Sequence, residues 1–148
     1  GQLIVRHADD KTLLQAFVTD ERIGVLMEAS AEAGERKLLG ALPHLIELIA
    51  HKQPSVALRA GAALGLIGEP DPDVLGALAK MTEGADPERH LVAIHALGDI
   101  GGKRAARYLE ALAVGHPQEA IRDAARAAAG RARAAGSAEA SEEAVQEL

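Results

Sequence analysis

Glycine recurs along this chain at almost one fixed interval, each time in look-alike surroundings. The runs Leu64-Gly65-Leu66-Ile67-Gly68, Leu97-Gly98-Asp99-Ile100-Gly101 and Ala129-Gly130-Arg131-Ala132 set their first glycines 33 and then 32 residues apart. A period of this size marks stacked helical hairpins, because one pair of helices cannot bury its apolar face alone. Proline keeps the same beat: Pro54, Pro87 and Pro117 lie 11, 11 and 13 residues ahead of those glycines. Its missing N–H suits the first turn of a helix. Asp86 is placed to cap the helix after it, and Ser55 the helix beside Pro54.

Between proline and glycine, small and apolar residues recur at helical spacing from Val56 to Leu64, Arg89 to Leu97 and Ile121 to Ala129. The glycine pairs are expected to permit the turn into the next helix. Partner helices carry Leu42, Leu45, Ile46 and Ile49, then Val74, Leu75 and Leu78, then Tyr108, Leu109 and Leu112. A fainter unit precedes them, with Leu13, Leu14, Phe17 and Val18 on one helix and Val25, Leu26 and Met27 on the next. Its Gly34 stands 31 residues before Gly65. The expected fold is all-α, a right-handed α-solenoid of about four hairpins. Residues 1–37 form a degenerate hairpin, 38–136 the clear repeats with a capping last helix, and 137–148 an acidic, flexible tail.

Composition narrows the function classes. The only aromatics are Phe17 and Tyr108, so Leu, Ile, Val and above all Ala must fill the core. Ala favours helices and lets two of them approach closely. No cysteine is present, which removes disulfides, thiolate nucleophiles and Cys-ligated metals and suits a reducing, cytoplasmic setting. No stretch approaches the roughly 18 uninterrupted apolar residues of a spanning helix. Gly1 to Asp10 lacks the layout of a signal peptide. The opening glycine, where a methionine would stand, suggests a processed end and a longer natural protein.

Net charge is −6 but unevenly spread. Residues 1–101 hold a balance of −6, residues 102–136 set seven bases against three acids, and the last twelve residues carry four glutamates and no base. The basic segment invites comparison with nucleic-acid binders, but an acidic chain with no Trp argues against that partner. Pairing of Glu119 with Arg122 and of Asp123 with Arg126, each three apart, accounts for part of it.

The run Val56 to Gly68 resembles the V-R-x-x-A-A-x-A-L-G-x-I-G signature of the HEAT-like repeats named after phycobilisome lyases. His90 to Gly101 and Ile121 to Ala132 resemble it more loosely. The signature's Arg stands only at Arg122, with Ala57 and His90 in the matching places, and Ala132-Arg133 replaces the last Ile-Gly. A polar, Arg-bearing final helix is what a solenoid cap needs. The resemblance implies a scaffold whose second helices line a concave face. Its variable slots fall on Leu58, Arg59, Ala62 and Leu66, on Leu91, Val92, His95 and Asp99, and on Asp123, Ala127 and Arg131. If exposed, Leu58, Leu66, Leu91 and Val92 form an apolar stripe suited to a partner's helix or extended segment. A slight rotation of the helix, or the next unit, would bury them instead.

HEAT-like deoxyhypusine hydroxylases hold two irons through His-Glu dipeptides in the slots after V-R. This chain has no His-Glu dipeptide, so that enzyme is excluded on residues. His90 and His95 are five apart and share no helix face well enough to chelate. No Ser/His/Asp elbow and no phosphate-binding glycine loop is present. The reading is therefore a non-catalytic protein-binding scaffold, with no catalytic, cofactor or metal residues. Its open ends invite association with flanking domains or a second copy. An enzyme accessory or lyase-type protein holding a small ligand is the rival from another class; it requires a deep apolar pocket with convergent polar groups. Nucleic-acid binding through the Arg-rich end is the third.

Overall fold

The computed structural model describes residues 8–147, with the side chains of 8–135. Its helices are α1 (Asp10–Thr19), α2 (Ile23–Glu35), α3 (Leu42–Leu48), α4 (Pro54–Ile67), α5 (Pro72–Met81), α6 (Pro87–Ile100), α7 (Lys103–Gly115) and α8 (Glu119–Glu147), with a 3-10 turn at Leu39–Ala41 ahead of α3. Among the described residues there is no strand. The molecule is an all-α solenoid.

The second helix of each hairpin builds the inner layer: α2 packs on α4, α4 on α6, and α6 on α8. First-position helices lie outside and touch one another only lightly, α3 against α5 and α5 against α7. One continuous core runs between the layers, through Leu13, Leu45, Leu64, Leu78, Ile94, Leu97, Leu109 and Ile121. Alanine supplies much of the rest, with Ala29, Ala33, Ala60, Ala63, Ala93, Ala96, Ala125 and Ala128 almost fully buried. Side chains this small let the inner helices come close enough for backbone contact.

Glycine makes that contact, which corrects one sequence expectation. Gly65 does not turn the chain; it lies inside α4, and a methyl group there would come within 2.9 Å of the Ala96 Cα on α6. Gly34 meets the Ala63 Cα in the same way, and Gly98 meets Ala128 and Arg131. The turn belongs to the second glycine of each pair. Gly68 (φ 71°) and Gly101 (φ 74°) close α4 and α6 in a region that side chains disfavour.

Helix starts follow the prolines, with adjustments. Pro54 and Pro87 open α4 and α6, and Asp86 accepts the Glu88 N–H at 3.0 Å as expected of a cap. Ser55 is not a cap: it lies inside α4, whose cap position is Gln53 with no side-chain bond. Pro72 opens α5 behind Asp71, which accepts the Asp73 N–H at 2.7 Å. Pro117 stands two residues ahead of α8. That helix is continuous to Glu147 through the segment expected to be a flexible acidic tail; the tail's side chains lie outside the described residues.

Candidate functional site

Packing inner helices through glycine and alanine leaves each with one row of side chains turned away from the core. On α4 the row holds Arg59, Ala62 and Leu66, all exposed, with Leu58 half-buried. On α6 it holds Leu91, His95 and Asp99, exposed, with Val92 half-buried; on α8 it holds Asp123, Ala127 and Arg131, exposed. The apolar stripe is therefore split. Leu66 keeps 51 % and Leu91 43 % of its surface. Val92 turns into the α4–α6 contact, its Cγ1 2.9 Å from where a methyl on Gly61 would stand.

Six of these residues converge. Ala62, Leu91, Val92, His95, Ala127 and Arg131 line one open cavity of about 500 Å³ spanning α4, α6 and α8, together with Ile94, Ala124 and Ala128. Its floor is alanine and branched aliphatic carbon. Its polar side is one small network. Asp99 accepts from Arg131 Nη1 at 3.1 Å and lies 3.3 Å from His95 Nε2, while Arg131 Nη2 stands 3.4 Å from His95 Nδ1. Asp99 thus joins the cavity through its partners without lining it. Leu58, Arg59, Leu66 and Asp123 stay outside, and Asp123 pairs instead with Arg126 at 2.9 Å.

A larger groove was not foreseen. About 880 Å³ opens between the outer helices α3 and α5, lined by Leu39, Leu42, Ile46, Ala77 and Met81 with Asp71 and Lys80 among its polar residues. Leu42 and Ile46, placed by the sequence on a partner helix, pack against the core but stay half-buried, because α3 and α5 barely meet. The one sequence signal was the doublet Leu38-Leu39 in a short connector; Leu39 is 58 % exposed.

The other described histidines make local contacts. His51 and His116 accept the N–H two residues on, from Gln53 at 3.0 Å and Gln118 at 3.1 Å. His44 stacks on Phe17, ring centres 5.4 Å apart. His90 is buried, its ring edge-on to that of His116. Among the described residues no His, Asp and Glu cluster is placed to hold a metal ion, and no helix is long and apolar enough to cross a membrane. Four arginines of the basic segment are engaged separately. Arg122 donates to the His116 and Pro117 carbonyls, Arg126 to Asp123, Arg131 to Asp99 and Arg133 to Glu110.

Comparison with protein families matches HEAT repeats over residues 42–130, from the first turn of α3 into the middle of α8. Comparison with curated proteins gives no match.

Proposed function

The chain belongs to the HEAT-repeat family, and from that premise we propose that it is a non-catalytic module binding a protein partner on the outward row of its inner helices. Repeats of this family generally serve as protein–protein interaction scaffolds. The observation that carries the assignment to this row is Leu91 beside the cavity, a large apolar side chain 43 % exposed, facing the polar network of His95, Asp99 and Arg131. An apolar floor with a polar edge suits one face of an amphipathic helix. The row would form the concave side of the array, as in the phycobilisome-lyase-type repeats that Val56 to Gly68 resembles. Because the floor is preformed, little ordering cost opposes binding. Engagement of Arg122, Arg126, Arg131 and Arg133 in separate intrachain contacts disfavours nucleic acid, which rewards one continuous basic face.

Photo-crosslinking tests this. A photoreactive residue at Leu91 should capture a distinct protein from native lysate, whereas the same residue at exposed Val18 on α1 should not. Adding Leu66→Lys and Ala127→Lys should remove the product. Equal capture from both positions would discard the assignment.

A further inference from the structure

We propose that the outer groove between α3 and α5 receives the chain's own segment Leu3-Ile4-Val5-Arg6, folded back from the start of α1. The groove, about 880 Å³, is apolar along its length, with Leu42 and Ile46 on one wall and Ala77 and Met81 on the other. Leu39 stands at its edge and is 58 % exposed, so the groove offers apolar surface that its own two helices leave uncovered. Its charges divide between the ends. Asp71 and Asp73 belong to the start of α5, and Lys80 to its last turn. Leu39 precedes α3 as Asp71 precedes α5, so in successive repeats the two share one end of the groove. That end is an acidic mouth.

Residues 1–7 lie outside the described residues; their sequence sets three large aliphatic side chains in a row, Leu3-Ile4-Val5, ahead of Arg6 and His7. Such a run gains by leaving water for an apolar groove. The fold holds the root of this segment close by. Asp10 pairs with Arg36 at 3.2 Å, and Leu14 Cδ1 lies 3.2 Å from where a methyl on Gly40 would stand. Both partners flank Leu39 in the connector. Five residues of extended chain reach up to about 17 Å, more than the roughly 10–12 Å width of one helix. Order along the chain matches order along the groove. Going back from α1, the base Arg6 comes first and meets Asp71 and Asp73 at the mouth. Val5, Ile4 and Leu3 follow and lie against Leu42, Ile46, Ala77 and Met81. Of the connector's own bases, Arg36 is engaged by Asp10 and Glu32, and Lys37 is exposed to solvent. A segment tethered this closely has an effective concentration on the order of millimolar, so a modest contact keeps it docked. Tether and polarity together favour this occupant over an unrelated peptide.

A photoreactive residue at position 4 of the 148-residue chain tests it, with adducts mapped by mass spectrometry on an equal mixture of isotopically heavy and light protein. Adducts should fall on the peptides of residues 39–50 and 71–81, and should join heavy to heavy and light to light. Leu39→Asp, at the exposed groove edge, should lower their yield by about tenfold, and Arg6→Glu by about threefold. Circular dichroism confirms that each variant is folded. Adducts joining heavy to light would assign the groove to a second copy, and adducts spread along the whole chain would leave the segment without a site. Either result overturns the proposal, as does a yield indifferent to both substitutions. The groove lies on the outer helices and the proposed partner row on the inner ones, so none of these results bears on capture at Leu91.

Discussion

Gly65 and Gly68 sit three residues apart on one turn of helix and do unrelated things. Gly68 supplies a positive φ at the end of α4, whereas Gly65 supplies the absence of a side chain where α4 meets α6. Replacing Gly65 by Ala would press a methyl on the Ala96 Cα, a backbone atom that cannot swing aside. The expected loss is about 1–3 kcal/mol, as for other overpacked cores. Gly76 in α5 gives the opposite sign: it is exposed with nothing within 4 Å. Gly76→Ala should therefore gain about 0.5–1 kcal/mol from helix propensity alone. Urea titration of the two variants reads both, and a Gly65→Ala protein as stable as the wild type would refute the contact. Spacing located all of these glycines but could not assign their work, because a turn and a close approach both select for a missing Cβ. His90 was opaque for a similar reason. It stands where the repeat signature has Arg, yet it is buried beside His116, a neighbour set by tertiary packing.

Helices and their connections were more legible. Proline and Asp86 mark the starts of α4 and α6 because they act on neighbours a few residues away, so local sequence is sufficient. What sequence could not give is how closely one helix lies to another. The groove between α3 and α5 opens because those outer helices touch lightly, and nothing in Leu42 or Ile46 themselves states this. The cavity residues were legible one helix at a time through the repeat register, but their joining by Asp99, His95 and Arg131 spans 32 to 36 residues. The first hairpin has its own local determinants, and they titrate. Asp9 caps α1 by accepting the Thr12 N–H at 2.8 Å, and hydrogen bonding from the Thr12 side chain, then from this N–H, holds its carboxyl below the ordinary 3.8. Asp20, between α1 and α2, accepts from the Arg22 guanidinium at 2.7 Å and from its N–H at 3.0 Å, which lowers its carboxyl to about 2. Both groups bind protons more weakly folded than unfolded. Their stabilisation is whole above the unfolded value near 3.8 and is lost as pH falls through each folded value, which for Asp20 is about 2. Hydrogen exchange at pH 4 and at pH 2 should show α1 and the start of α2 losing protection first. Asp20→Asn should flatten that dependence; an unchanged pH profile would mean the contact is not formed in solution.

At the scale of the whole molecule, stability passes from unit to unit. Contacts of the inner layer join α2 to α4, α4 to α6 and α6 to α8, and among the described residues no comparable contact skips an inner helix. A solenoid of this kind behaves as a one-dimensional array in which neighbour interfaces couple units of modest intrinsic stability. The core is built largely of alanine, which gives each unit little apolar area of its own, so coupling has to carry much of the cooperativity. Gly65 lies at the middle interface, between the pair α2 and α4 and the pair α6 and α8. The strain of Gly65→Ala therefore falls on the link and leaves the core of either half in place. Unfolding should lose its single transition, with hydrogen exchange followed by mass spectrometry separating the peptides of α1 to α4 from those of α5 to α8. In the wild type the two sets should open together. In the variant one half should open at lower denaturant while the other holds, because breaking the link no longer requires breaking both sides. Coincident loss of protection in the variant would show that cooperativity runs through the outer layer or the continuous core, and that the inner glycine contacts only set the distance between helices.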